Sequence, residues 1–400
     1  MSTRFEFRTI APAALLGGAV LLLLASPALA DKTENKAEPP AGARVLDLPE
    51  TPLNYSKLPL PAHFRTSQVR QADNTPSRNP ITDHGATLGR VLFYDTTLSL
   101  NGKTACASCH LQTNAFAEPK PVSIGFEGKQ VNRNAMSLIN LRYYARGRFF
   151  WDERARTLED QVLMPIENKI EMGHNLKDLV RQLNNDPIYP PLFEKAFNDP
   201  EVTQQRLSRA LAQFLRSIVS YRSKYDQGLE KASSVNADFP NFTRQENEGK
   251  RLFLGRANCA GCHMSGGRGG ALFFMGRPRN NGVDANVSRT DGGVGEITFN
   301  LSQVGQFKSP DLRNVELTGP YMHDGRLATL EKVIDHYNKE VKPHAFLDGR
   351  LRGRTAETPR QLNLSESQKQ ALVAFLKTLT DRELIADPKY SNPFRTPAGK

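Results

Sequence analysis

The sequence predicts a mainly α-helical protein built from two similar domains that are related by internal duplication. Residues 89–93 (Gly-Arg-Val-Leu-Phe) and residues 249–253 (Gly-Lys-Arg-Leu-Phe) each stand shortly before a Cys-x-x-Cys-His motif. Residues 210–220 and 371–381 form a second matching pair downstream. Repetition on this scale is typical of two similar domains. Alternating runs of β-branched residues are nearly absent, which disfavours a fold based on sheets.

Helix signals accompany both copies. Thr243 is followed by Glu246, and Ser365 by Gln368, which is the spacing of a capping box at a helix start. Apolar residues recur on one helix face in each copy. They are Leu207, Leu211, Phe214 and Ile218, then Leu372, Phe375, Leu376 and Leu379. Each domain is therefore predicted as a helix, a Cys-x-x-Cys-His loop, a long irregular excursion and a closing helix.

Composition limits the classes of partner. The 400 residues include 53 Lys and Arg against 42 Asp and Glu, a formal net charge of +11. Hydrophobic residues make up 38%, which suits a packed core and excludes wholesale disorder. The basic residues are scattered, without an aromatic-interleaved stripe, so no nucleic-acid partner is predicted. The charge favours an acidic protein partner, or serves solubility alone.

The first thirty residues have the features of a cleaved signal peptide. Arg4 and Arg8 precede an apolar stretch, residues 11–25, and a small-x-small cleavage site at residues 28–30. The apolar stretch is short for a transmembrane span, so no stable membrane insertion is predicted. Residues 31–83, rich in Pro, Lys, Asn and Thr, are predicted to form an extended N-terminal arm of the exported chain.

All four cysteines belong to two motifs, Cys106-x-x-Cys109-His110 and Cys259-x-x-Cys262-His263. This spacing suits covalent attachment of haem, with the thiols on its two vinyl groups and the histidine on its iron. A dithiol redox pair would not need the histidines, and a four-cysteine zinc site would need the two pairs to converge. Disulfides within the motifs would be strained. The sequence therefore predicts two covalently bound haem c groups.

Further motifs lie at residues 88–95, 133–134, 150–154, 158–161, 165–173, 312–325 and 372–381. Together with the two haem motifs, these segments resemble the bacterial di-haem cytochrome c peroxidase and MauG superfamily. The resemblance implies two cytochrome c-like haem domains in the periplasm. Residues 84–232 would hold the peroxide-reacting haem, and residues 233–400 the electron-transfer haem.

The resemblance also implies roles for single residues. His110 is the proximal ligand of the peroxide-reacting haem, and His263 that of the second haem. Trp151, the only tryptophan, would relay electrons between the haems. Glu171 would move the peroxide proton as a general acid–base, while Gln161 would orient the peroxide.

Two more ligand sets follow from the same resemblance. Asn134, Thr318 and Pro320 match a calcium site, in which one amide oxygen and two backbone carbonyls are suitable hard ligands. Tyr337 stands at the axial ligand position of the second haem, as in MauG proteins. Met275 and His323 are weaker candidates for that position.

The chain departs from the usual peroxidases at two other places. Residues 123–127 contain no histidine, so the peroxide-reacting iron is expected to be open at rest. Glu153 replaces a usual glycine, and the sequence offers no reason for it.

Together these features predict an exported di-haem oxidoreductase that reduces hydrogen peroxide to water with electrons from a small donor protein, such as a cytochrome c or a cupredoxin. The alternative is a MauG-like, peroxide-dependent oxidation of a partner protein. A third possibility is a non-catalytic di-haem electron carrier, against which Gln161 and Glu171 argue.

Overall fold

The computed structural model describes residues 44–264, 272–285, 291–354 and 358–395. The predicted signal peptide lies outside these residues. The α-helices of the described chain are α1 Ser67–Ala72, α2 Asp83–Tyr94, α3 Cys106–Cys109, α4 Leu158–Gln161, α5 Met164–Glu167, α6 Leu176–Asn184, α7 Tyr189–Phe197, α8 Gln204–Ser217, α9 Lys224–Lys231, α10 Arg244–Leu254, α11 Ala260–His263, α12 Val294–Thr298, α13 Leu330–Asp335, α14 Glu366–Lys377 and α15 Arg382–Ala386.

Strands are few in the described chain. β1 (Gly276–Arg279) and β2 (Phe307–Ser309) pair antiparallel in one two-stranded sheet. A π-helix, His336–Glu340, continues directly from α13. The predicted mainly α class is therefore confirmed. None of the helices described is both long and apolar enough to cross a membrane.

Two helix pairs organise the fold in the same way. The pair α2 and α8 crosses at Gly89, where an added Cβ would lie 2.0 Å from the carbonyl oxygen of Ala210. The pair α10 and α14 crosses at Gly249, where an added Cβ would lie 1.9 Å from the carbonyl oxygen of Ala371. Only glycine permits backbones to approach this closely. Each matching segment seen in the sequence therefore supplies a helix crossing.

The capping boxes lie where the spacing predicts them. The Thr243 side chain accepts from the backbone N–H of Glu246, and the Glu246 carboxylate accepts from the backbone N–H of Thr243 at the start of α10. Ser365 and Gln368 make the same reciprocal pair at the start of α14. These bonds satisfy donors that a helix start leaves free.

Separate hydrophobic clusters surround the two helix pairs. One contains buried side chains of α2 and α8, the other those of α10 and α14. Residues far along the chain complete the first cluster. Leu384 and Tyr390 are buried in it, and the backbone oxygen of Tyr390 accepts from the hydroxyl of Tyr94 (2.7 Å).

The described part of the arm before α2, residues 44–82, has little regular structure. It contains α1 and a short 3-10 helix, Ala62–Phe64, and both pack in a small third cluster. Arg44 forms ion pairs with Asp95 and Asp186. Leu46 forms an isolated β-bridge with Phe394. The start and the last part of the described chain are thus held together.

Candidate haem sites and the wall between them

The first Cys-x-x-Cys-His motif lines one cavity. Cys106 and Cys109 lie at the two ends of the single-turn α3, and His110 follows directly. The His110 ring donates from Nδ1 to the backbone oxygen of Phe116 (2.9 Å). Because a carbonyl can only accept, this bond fixes the tautomer and leaves the Nε2 lone pair free for a metal. Burial lowers the pKa of His110 and keeps the ring neutral.

The second motif is arranged in the same way around another cavity. Cys259, Cys262 and His263 line it together. The His263 ring donates from Nδ1 to the backbone oxygen of Pro310 (3.1 Å), which again leaves Nε2 free. Burial also lowers the pKa of His263. Each cavity therefore presents two thiols and one neutral imidazole.

The chemistry of these donors fits haem c better than the alternatives. All four cysteines are free, and burial raises the pKa of Cys106 and of Cys259 to about 12. Such thiols stay protonated and are poor redox nucleophiles. Across the described ranges, no three His, Cys, Asp or Glu side chains converge as a metal site would require. Two thiols that can form thioethers and one free Nε2 per cavity are what haem c needs.

Trp151 lies in the wall that the two cavities share. It lines both of them and is 8% exposed. Its indole Nε1 donates to the backbone oxygen of Asn134 (2.9 Å), and its own carbonyl accepts from the backbone N–H of Lys308 (2.9 Å). Met275 and Lys308 line both cavities as well. The indole is therefore held rigidly where an electron relay between the two sites would stand.

The predicted acid–base pair lies in the His110 cavity. Gln161 at the end of α4 and Glu171 both line it. Burial raises the pKa of Glu171, and the nearby charge of Arg154 opposes this shift. The Nδ2 group of Asn168 donates to the Glu171 carboxylate (3.0 Å) and fixes its direction. A carboxyl group placed in this way can take up a proton and release it again.

The loop that lacks a histidine turns its larger side chains away from this cavity. The backbone N–H of Phe126 donates to the Glu171 carbonyl (3.0 Å), and its ring covers Gly173, where an added Cβ would lie 2.3 Å from it. The Glu127 carboxylate is half-exposed and accepts from Lys129 (2.9 Å). Ile124 and Gly125 line the cavity in their place. Neither Phe126 nor Glu127 therefore supplies a ligand that faces His110.

Tyr337 lies in the π-helix and lines the His263 cavity. The Nδ2 group of Asn281 donates to its hydroxyl (3.4 Å) and also to the sulfur of Met322 (3.3 Å). Burial raises the pKa of Tyr337 to about 12, so the phenol is neutral unless a metal binds it. His323 stacks on Phe307 at 3.7 Å between ring centroids.

The candidate calcium ligands also meet at the His263 cavity. Asn134, Thr318 and Pro320 all line it. The Asn134 side chain donates from Nδ2 to the carbonyls of Lys120 (3.0 Å) and Pro121 (3.2 Å), which turns its Oδ1 the other way. Within the described chain, neither this Oδ1 nor the carbonyls of Thr318 and Pro320 accept a hydrogen bond.

The structure explains Glu153, which the sequence left without a reason. Its backbone is left-handed (φ 59°), the conformation in which glycine is unstrained. Its carboxylate is buried and accepts from the Tyr144 hydroxyl and from Arg146 Nε (2.8 Å) and Nη2 (2.6 Å). These bonds offset the backbone strain of a non-glycine residue at this turn.

Lys308, Asn281 and Met322 were missed by reasoning from the sequence. Lys308 lies in a three-residue strand, where lysine usually faces solvent, yet it is 2% exposed. Asn281 and Met322 reach Tyr337 from distant parts of the chain, and no local pattern marks either of them.

Family models match most of the described chain. A model described as di-haem cytochrome c peroxidase matches residues 83–234, and a model described as cytochrome c matches residues 246–380. The first match ends after α9, and the second begins within the first turn of α10.

Relatives carry the names of two related activities. The chain is 33% identical to the methylamine utilization protein MauG of Methylorubrum extorquens over 306 residues, 76% of this chain and 80% of that protein. It is 33% identical to cytochrome c551 peroxidase of Nitrosomonas europaea over 316 residues, 78% of this chain and 84% of that protein.

Solved structures are similar in fold. A MauG-like protein associated with microbial copper homeostasis matches with a TM-score of 0.72 and 31% identity, over 84% of this chain and 99% of that chain. The di-haem peroxidase BthA of Burkholderia thailandensis matches with a TM-score of 0.60 and 25% identity, over 80% of this chain and 92% of that chain.

Proposed function

Because this chain belongs to the family of di-haem cytochrome c peroxidases and MauG proteins, we propose that it reduces hydrogen peroxide to water in the His110 cavity, with electrons that enter through the His263 cavity. It is an oxidoreductase with two haem c groups. Cys106 and Cys109 would hold one haem and Cys259 and Cys262 the other, with His110 and His263 as proximal ligands. Bound haem supplies iron that exchanges single electrons.

Placement of Glu171 in the same cavity as His110 is the observation on which the reaction chemistry rests. Its carboxylate takes the proton from one peroxide oxygen, and the resulting acid returns the proton to the oxygen that leaves as water. Gln161 offers an amide that orients the peroxide between Glu171 and the His110 side. Burial raises the pKa of Glu171, which makes its carboxylate a stronger base for the first of these steps.

Trp151 is proposed to carry electrons between the two cavities. Its indole lines both, and its two hydrogen bonds hold it in one orientation. The donor is a small redox protein, such as a cytochrome c or a cupredoxin. An acidic donor would be attracted by the net positive charge of the chain.

Three further proposals concern the setting of the enzyme. One calcium ion binds Asn134 Oδ1 and the carbonyls of Thr318 and Pro320 at the edge of the wall between the cavities. The haem domains, related by duplication, span residues 84–232 and 233–400. A signal peptide, residues 1–30, directs the chain to the periplasm, where it works after cleavage.

A second candidate function is the MauG-like oxidation of a partner protein, with peroxide as the oxidant. Two observations favour it. Tyr337 lines the His263 cavity, and the loop at residues 123–127 contributes Ser123, Ile124 and Gly125 to the His110 cavity but no histidine ligand. A phenolate ligand would lower the potential of the second haem and make it a poor acceptor from ordinary cytochromes.

Stopped-flow mixing of the all-ferric, haem-loaded protein with hydrogen peroxide tests the reaction. We expect a spectral change without prior reduction, and steady-state oxidation of a reduced cytochrome c in the peroxidase case. A peroxide reaction without cytochrome turnover would favour oxidation of a protein substrate. No spectral change in either redox state would contradict both functions and leave an electron carrier.

A further inference from the structure

A buried phenol–carboxylate pair lies immediately behind the wall between the cavities. Tyr144, 1% exposed, donates its hydroxyl proton to the carboxylate of Glu153, which is 3% exposed. Arg146 forms two charge-assisted hydrogen bonds with the same carboxylate. Burial and the charge of Glu153 raise the pKa of Tyr144 well above its ordinary value. At rest the pair is therefore a neutral phenol beside a carboxylate.

The pair adjoins residues that line the cavities. The Lys308 Nζ is 4.3 Å from the centroid of the Tyr144 ring, and Lys308 lines both cavities. The Phe149 ring, 6.4 Å from that of Tyr144 between centroids, lines the His110 cavity. Lys308 is also bonded to the carbonyl of Trp151 through its backbone. One layer of side chains thus separates Tyr144 from both sites.

This arrangement provides what one-electron oxidation of a tyrosine requires. A phenol that loses an electron becomes a strong acid, so its proton must move to a base already in contact with it. The Glu153 carboxylate is that base, and its hydrogen bond defines the path of the proton. Water is excluded from both groups, which protects a radical from side reactions.

We propose that Tyr144 is a redox-active site in which one oxidising equivalent from the peroxide reaction is held as a neutral tyrosyl radical. An electron leaves Tyr144 for the oxidised haem sites, and the phenolic proton moves to Glu153. On reduction, an electron from the donor or substrate returns to the ring and Glu153 returns the proton. The inference rests on the proposed peroxide reaction, which supplies the oxidant.

The chain contains a matched control for this pair. Tyr189 is also buried and donates its hydroxyl proton to Asp95, a buried carboxylate that is paired with Arg44. Neither Tyr189 nor Asp95 lines a haem cavity, and the ring that Tyr189 contacts belongs to Phe193, which lines neither. The two pairs share their chemistry and differ in their distance from the cavities.

Rapid freezing after peroxide addition, followed by electron paramagnetic resonance, tests the proposal on the haem-loaded protein. We expect a tyrosyl radical signal that narrows when the protein contains ring-deuterated tyrosine. Tyr144→Phe should abolish the signal, whereas Tyr189→Phe should keep it. Glu153→Gly places the unstrained residue at this left-handed position, so it should fold while losing the proton acceptor and the signal.

Optical spectra of the same samples distinguish failure of this inference from failure of the proposed peroxide function. If the haems react with peroxide but no tyrosyl signal forms, or if Tyr144→Phe retains the signal, the inference is wrong and the peroxide function stands. If the haem spectra do not respond to peroxide, the proposed function fails and the inference fails with it.

Discussion

The indole of Trp151 donates its only N–H to the backbone oxygen of Asn134, the residue whose side-chain oxygen is a candidate calcium ligand. Asn134 thus links the wall between the cavities to the candidate cation site. A calcium ion bound to Asn134 Oδ1 would also hold in place the Asn134 carbonyl that accepts from the Trp151 indole.

Removal of calcium should therefore slow electron transfer between the haems while leaving each haem attached. We expect chelation to reduce the rate of reduction of the His110 haem by the His263 haem, and added calcium to restore it. Asn134→Asp keeps an oxygen ligand and should retain calcium dependence, whereas Asn134→Ala should be slow and unresponsive to the metal. Equal rates with and without chelator would argue against the site.

The two histidines should differ in their effects. His110→Ala removes the proposed iron ligand of the peroxide-reacting haem and should abolish the optical response to peroxide. His263→Ala should spare that response and stop turnover with the donor, because only the second haem is altered. His174→Ala serves as a control, since His174 is buried but lines neither cavity. Identical losses in both cavity variants would contradict the assignment of roles.

Glu171→Gln should slow the peroxide reaction by roughly 10²-fold or more, with both haem spectra retained. Glutamine is isosteric but cannot accept the peroxide proton. A rate within a few-fold of the wild type, measured by stopped-flow, would transfer the role to another group.

The pH profile should report the same carboxyl group. The reaction needs ionised Glu171, so its rate should fall as the pH drops through the raised pKa of this residue. The charge of Arg154 lowers that pKa, and Arg154→Gln should therefore move the acid limb to higher pH. Arg156→Gln changes an exposed arginine two residues along and should leave the limb in place. If Arg154→Gln leaves the acid limb of the pH–rate profile unchanged, a different group titrates.

Tyr337→Phe should change the second haem and spare the first. If the phenolate binds the iron, its loss should raise the potential of that haem and remove a low-spin signal of the His/Tyr type. Tyr321→Phe is the matched control, because Tyr321 lines the same cavity but donates its hydroxyl to the carbonyl of Val315 (2.9 Å). Redox potentials that agree in all three proteins would favour Met275 or His323, the weaker candidates from the sequence, or Met322, whose sulfur accepts from the same Asn281 amide as Tyr337.

Substitution at a helix crossing should lower stability. Gly249→Ala places a methyl group against the carbonyl of Ala371 and forces α10 and α14 apart, with an expected cost of about 1–3 kcal/mol. Gly349→Ala adds the same group where no atom lies within 4 Å and should cost far less. Denaturant unfolding of both variants measures the difference in the free energy of unfolding. Equal stabilities would show that the crossing tolerates the methyl group.

The sequence predicted those features that depend on local pattern. Capping boxes such as Thr243 with Glu246 are short-range hydrogen bonds and were confirmed. The features that the sequence did not predict depend on tertiary contacts. Lys308 has no local signal of burial, and the reason for Glu153 is a backbone angle together with partners at Tyr144 and Arg146. A residue that departs from its relatives was visible from the sequence, but its purpose was not.

The return of residues 384–394 to the first hydrophobic cluster has a consequence for biosynthesis. Leu384 and Tyr390 complete the core around α2, and Arg90 donates to the carbonyl of Lys389 (2.9 Å), 299 positions further along the chain. Contacts so distant in sequence form late, after most of the chain is available. A chain that emerges N-terminus first therefore cannot complete the first hydrophobic cluster until its last residues are available. We therefore expect Cys106 and Cys109 to be accessible for haem attachment before the final segment packs against that cluster.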